Sequence, residues 1–145
     1  MKISTKGKNA IKLMLDLATY NNGKPIRLRD IARRQNISEK YLEHIVSGIN
    51  KCFLLNSSRG KHGGYSLKYP PEQYTVGQIL RAVEGDMAPT DCYGENGIPC
   101  ENKSMCVSYK LWGRLDDAMN NVLDNITLAD MLEWQNELYT DQYVI

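Results

Sequence analysis

The chain has 145 residues, 42% of them apolar, and a formal net charge of +1, which fits one compact domain or one domain with a helical extension. No apolar run approaches the roughly 18 residues of a membrane span, and the opening Met1-Lys-Ile-Ser-Thr-Lys carries no apolar signal core, so a cytoplasmic protein with no membrane segment is expected. The small net charge hides a polarity: residues 1–68 hold 14 Lys and Arg against 4 Asp and Glu, and residues 69–145 hold 4 against 13. A basic half beside an acidic half points to nucleic acid bound on one side only.

The first predicted helix runs from Lys6 to about Asn21. Ala10, Met14, Leu17 and Ala18, with Ile11 and Leu13, form a wide apolar stripe. Ser4 or Thr5 caps its start and Asn22-Gly23 end it. Lys6 and Lys8, with Lys2 and Lys12, crowd that start as candidate phosphate contacts. Pro25-Ile-Arg-Leu28 reads as a short extended lead-in able to pair with a later hairpin.

From Leu28 to Leu67 the pattern is that of a winged helix-turn-helix. Ile31 and Ala32 give a short helix its inward face, and Asn36-Ile37 supply the turn, since Asn tolerates a left-handed backbone. Ser38 is an N-cap. In the helix it opens, Leu42, Ile45, Val46 and Ile49 recur at i, i+3, i+4 and i+7. That leaves Glu39, Lys40, Tyr41, Glu43, His44 and Ser47 on the other faces, an outward set suited to base edges in a major groove, with Ser38, Lys40, Tyr41, Glu43 and His44 the candidate DNA contacts. Two short strands follow, flanking a Gly-rich tip with Arg59, Lys61 and His62, a cationic hairpin placed to touch phosphates or a minor groove. Cys52, between this helix and the first strand, reads as a small buried hydrophobe.

Thr75-Val-Gly-Gln78 forms a capping box opening a helix on Val76, Ile79, Leu80 and Val83 that Gly85 stops. Over residues 86–104 the periodicity disappears, and without a metal this segment has too few apolar residues to offset its ordering entropy. A long amphipathic helix, about Met105 to Asn125, carries Leu111, Leu115, Ala118 and Val122 at near coiled-coil spacing and is the expected homodimer seam. Thr127 caps a last helix, Leu128 to about Tyr139, and the tail 140–145 is expected to fray. The fold class is therefore mainly α with a small β-wing: a winged helix-turn-helix plus a long dimerisation helix. Three parts are expected, a DNA-binding domain over 1–85, a cysteine-bearing sensor loop over 86–104, and the dimerisation and C-terminal helices over 105–145.

Of four cysteines, Cys92, Cys100 and Cys106 fall within fifteen residues. With no sign of secretion, a metal or redox site is favoured over disulfides. The Cys-x7-Cys-x5-Cys spacing lacks the Cys-x2-Cys of zinc ribbons. Thiolates suit iron–sulfur clusters and zinc, and direct thiol redox sensing is a third use. Three thiolates leave a cluster one ligand short, a gap for Asp91, Glu95, Glu101, Tyr109, a second subunit, a small molecule or solvent. No nucleophile elbow, P-loop or dinucleotide fingerprint appears, and the two His lie on the helix and the wing tip, so an enzyme is not expected.

Together, Met1-Lys-Ile-Ser-Thr-Lys-Gly, Asp30-Ile-Ala, Ile37-Ser-Glu-Lys-Tyr-Leu-Glu43, Arg59-Gly60 with Gly63-Gly64-Tyr65, Thr75-Val-Gly-Gln-Ile-Leu and Asn125-Ile-Thr-Leu resemble the IscR/NsrR/CymR family of bacterial transcription regulators over nearly the whole chain. The resemblance implies a homodimeric, sequence-specific DNA-binding repressor on a pseudo-palindromic operator. It places Tyr41, Glu43 and Arg59 on DNA-contact positions. It also implies a 2Fe-2S or 4Fe-4S cluster on Cys92, Cys100 and Cys106, sensing iron–sulfur, redox or nitrosative status. The family's fourth-ligand positions hold Tyr109 in place of His and Lys8 in place of an acid. The alternative is a CymR-like regulator without a cluster, controlled by a protein partner or a metabolite.

Overall fold

The computed structural model describes residues 2–98 and 100–143. Six α-helices and one hairpin follow in order: α1 Thr5–Thr19, α2 Leu28–Gln35, α3 Glu39–Lys51, β1 Leu55–Ser58, β2 Gly64–Leu67, α4 Val76–Glu84, α5 Val107–Asn125 and α6 Leu128–Tyr143. The strands pair antiparallel, Leu55 opposite Leu67 and Ser58 opposite Gly64. The lead-in before α2 joins them through paired backbone bonds between Ile26 and Tyr65, each 2.8 Å. That close approach leaves no room for a side chain at Gly64, where a Cβ would collide with the Ile26 carbonyl.

Four of the helices, α1, α3, α4 and α6, begin on the caps that the sequence chemistry places. The Ser4 hydroxyl accepts from Gly7 N at 3.1 Å and donates to Glu84 at 2.6 Å, so the cap of α1 is also pinned to the end of α4. Asn36 takes the left-handed conformation at φ 53° that turns α2 into α3. Ser38 caps α3 by accepting from Tyr41 N at 3.2 Å. The Thr75–Gln78 box opens α4, with both reciprocal bonds formed. Thr127 and Asp130 form a second box that opens α6.

One core holds the winged head together. Ala10, Leu13, Met14 and Leu17 of α1 meet Ile31, Leu42, Ile45, Ile49 and Ile79, all buried, and Leu128 of α6 enters the same cluster. Each such Leu, Ile or Met side chain contributes on the order of 1.5–3 kcal/mol of transfer free energy. Two polar ties cross this core. The buried Asp16 carboxylate accepts from Arg34 Nε at 3.0 Å, Arg34 Nη2 at 2.6 Å and Gln35 Nε2 at 2.9 Å, fastening α2 to α1. The fully buried Tyr74 donates its hydroxyl to the Leu54 carbonyl at 2.7 Å and accepts from the Lys68 and Tyr69 amides, locking the hairpin base.

Three expectations are corrected. Cys52 is exposed, not buried. It ends α3, and Phe53 then adopts φ 56°, which sends Leu54 and Leu55 into the core and leaves Cys52 and Phe53 outside. The last helix runs on to Tyr143, with no Pro or Gly to stop it and Thr140 bonding back to the Asn136 carbonyl at 2.9 Å; the rest of the expected tail lies outside the described residues. The long helix starts at Val107, after a short 3-10 turn over Lys103–Met105.

Candidate nucleic-acid interface and cysteine loop

The α3 stripe of Leu42, Ile45, Val46 and Ile49 is fully buried, so the other faces of the helix are what the head presents. Ser38, Lys40, Glu43, His44 and Ser47 are exposed. Tyr41 is half-buried and packs on the core cluster, leaving part of its ring outward. At the wing, Arg59 and Lys61 are exposed, and Gly60 turns the tip with φ 103°, a conformation that glycine adopts without strain. Lys6 and Lys8 lie in the first turn of α1, Lys8 exposed and Lys6 half-buried.

Between α3 and the wing runs a groove lined by Arg27, Arg29, Glu39, Glu43, Lys61 and Tyr65. It brings the carboxylate of Glu43 and the ammonium of Lys61 onto one surface. Arg27 and Arg29 belong to this surface too, although the sequence reading passed over them. Arg27 donates to the Lys61 carbonyl across the groove, which ties the wing to the start of α2. The available signal was two arginines flanking the start of α2, ahead of the turn.

The α5 helix has two unlike faces. Trp112, Asp116, Met119, Asn120 and Leu123 are half-buried on the side towards the head. There Arg81 of α4 bonds Asp124 at 2.6 Å and Asn120 at 2.7 Å, and the Asp124 hydrogen bond raises the Arg81 pKa. The Leu111, Leu115, Ala118 and Val122 seam lies on the other side; Leu111 is 56% and Val122 54% exposed in the single chain.

The loop between α4 and α5 is built from turns. Asp86 accepts from Ala88 N at 2.9 Å, and Ile98 N donates to the Asp91 carbonyl at 2.8 Å. Cys92 is half-buried with its Sγ 3.3 Å from the Thr90 hydroxyl, whereas Cys100 and Cys106 are exposed. Among the described residues no three His, Cys, Asp or Glu side chains are grouped to hold a metal ion. The structure does not group Cys92, Cys100 and Cys106 into a metal site. Tyr109 is turned to Tyr93, with ring centroids 5.0 Å apart.

A helix pair whose second helix presents an exposed outer face, flanked by a two-stranded wing and fed by a basic half-chain, defines a DNA-binding transcriptional regulator. Residues 3–134 match the Rrf2 family model, described as an iron-dependent transcriptional regulator; the chain belongs to the Rrf2 family. It is 36% identical over 132 residues to protein rrf2 of Nitratidesulfovibrio vulgaris, covering 91% of this chain and 87% of the relative. Among solved structures it is similar to CymR, the global cysteine regulator of B. subtilis, with TM-score 0.75, 37% identity and coverage of 92% of this chain and 98% of CymR. It is also similar to T. potens IscR, with TM-score 0.74, 35% identity and coverage of 95% and 90%. No helix among the described residues is long and apolar enough to cross a membrane.

Proposed function

We propose that this chain is a homodimeric repressor that reads a pseudo-palindromic operator, with its signal entering through the cysteine loop. The observation that carries the reading is the α3–wing surface: Lys40, Glu43 and His44 on the helix and Arg59 and Lys61 on the wing are all exposed on a head with one shared core. The Glu43 carboxylate accepts from cytosine N4 in a major groove. Lys61 and Arg59 reach phosphates or the adjoining minor groove, and Lys6 and Lys8 add backbone contacts. The exposed seam of α5 joins two heads, setting two recognition helices about one DNA turn apart.

Two forms of the signal are supported by different observations. The soft thiolates of Cys92, Cys100 and Cys106, together with the family's iron-dependent description, favour an iron–sulfur cluster sensed as it is gained, lost or oxidised. The separation of those cysteines, with Tyr109 packed on Tyr93, favours control without a cluster, through thiol oxidation, a protein partner or a metabolite. Purification without air, followed by iron and sulfide analysis, tests the first form. Brown protein with stoichiometric iron and sulfide is the result it expects, and colourless protein without sulfide assigns the second. Operator binding itself is tested by selecting a DNA site with the purified dimer; the reading expects a two-fold site, and retention of no sequence would reject it.

A further inference from the structure

The loop over residues 86–104 is poor in apolar side chains, yet it contains one aromatic, Tyr93, next to Cys92 in sequence. Tyr93 lies against α5. Its ring meets Tyr109 at a centroid distance of 5.0 Å and an interplanar angle of 49°, a tilted pairing of the kind aromatic rings favour. Lys103 Nζ stands 4.7 Å from the centre of the Tyr109 ring, a cation–π contact from the turn that precedes α5. One helical turn beyond Tyr109 is Gly113, where a Cβ would sit 3.1 Å from the Tyr93 hydroxyl. Gly113 therefore opens the notch into which Tyr93 fits. Behind the ring, the backbone turn is closed by Tyr93 N to the Thr90 carbonyl at 3.1 Å, Gly97 N to the Gly94 carbonyl at 3.3 Å and Ile98 N to the Asp91 carbonyl.

We infer that Tyr93, Tyr109 and Lys103 form a latch that closes the cysteine loop onto α5 without metal, and that the latched loop excludes a shared metal site on the three cysteines. The connection is steric. Three thiolates on one metal need their sulfurs a few ångströms apart. Cys92 adjoins Tyr93, and Cys106 lies three residues before Tyr109, so the latch fixes the backbone on both sides of the site. With Tyr93 seated against Gly113, Cys92 lies beside Thr90, and Cys100 and Cys106 are exposed. Thiolate convergence requires Tyr93 to leave the notch. The latch thereby sets how readily the loop yields to a metal centre. Its regulatory meaning rests on the proposed sensing role of the loop; its existence does not.

The test uses the full-length chain without DNA. In a Cys92→Ser, Cys100→Ser, Cys106→Ser chain, which removes all three thiolates, the Tyr93, Gly97 and Ile98 amides should remain protected from hydrogen exchange. Adding Tyr93→Ala should lower that protection by roughly tenfold or more. Tyr109→Leu, which keeps a good helix former in α5, should do the same, so a misfolded single variant does not decide the matter. In the chain with its cysteines intact and reduced, Tyr93→Ala should tighten Co²⁺ binding several-fold, read from thiolate-to-cobalt absorption. Unchanged protection in both tyrosine variants would overturn the latch. Weaker Co²⁺ binding in Tyr93→Ala would overturn the exclusion, since the tyrosines would then be supporting the thiolate site. Either failure leaves operator binding by the dimer standing.

Discussion

The winged head and the α5 helix are both amphipathic, but they finish their apolar faces differently. In the head, the stripe on α3 is covered completely by α1, α2 and α4, and Ile45 and Ile49 have no exposed surface. In α5 no residue is buried, and its apolar seam lies on the side away from the head. One side of α5 is tied to its own head, by Arg81 and by half-buried Trp112, Met119 and Leu123, while the Leu111–Val122 seam on the other side is left open in the single chain. If α5 is the proposed dimer seam, the difference separates two kinds of stability: the head's comes from within the chain, and that of the seam would depend on chain concentration.

Substitutions sharpen that contrast. The largest effect is expected from Leu115→Asp, which would place a carboxylate in an apolar seam at a cost of several kcal/mol unless the helices part. Sedimentation should find monomers, with the head still melting cooperatively; a tight dimer would move the interface elsewhere. Ile45→Ala, in the closed core, should cost about 2–5 kcal/mol in unfolding free energy at any protein concentration. Calorimetry showing a concentration-dependent loss would break the contrast. Arg59→Ala should leave both kinds of stability alone and weaken operator binding by roughly 1–3 kcal/mol if the guanidinium meets a base or a narrow minor groove. The smallest effect concerns the cap of α6. Backbone and hydroxyl hydrogen bonds from Thr127 hold the Asp130 carboxyl below its usual range. A lowered folded pKa contributes stability that is present above the unfolded value and is lost as pH falls through the folded one. Asp130→Asn should therefore flatten a small part of the acid limb of the stability curve, measured by denaturant titration from neutral to acid pH.

What was legible in the sequence follows from the same division. Faces repeat locally, so the i, i+3, i+4, i+7 run from Leu42 to Ile49 marked the buried side of α3, and the Thr75–Gln78 box marked the start of α4. Features made by distant residues left no such trace. Asp16 meets Arg34 across 18 positions, and nothing in either neighbourhood announces that the buried carboxylate will take a partly exposed arginine as its partner. Tyr74 reads as one more aromatic until its hydroxyl is seen to close three backbone groups at the hairpin base. Cys52 was misread because its exposure depends on the positive φ of Phe53, a backbone choice unusual for a bulky residue. The cysteine spacing is weak by itself, and it was the family resemblance that implied a shared site on Cys92, Cys100 and Cys106; the packing of Tyr93 against Tyr109 and Gly113 is a tertiary contact without periodicity.

The central claim is that two heads joined through α5 present α3 to successive major grooves. Base-by-base binding to a selected operator, comparing wild type with Glu43→Ala, tests it most directly. The account predicts two half-sites about one helical turn apart, with base preference altered at one position in each half by the substitution. A single asymmetric site, or a preference profile that Glu43→Ala leaves unchanged, would contradict it.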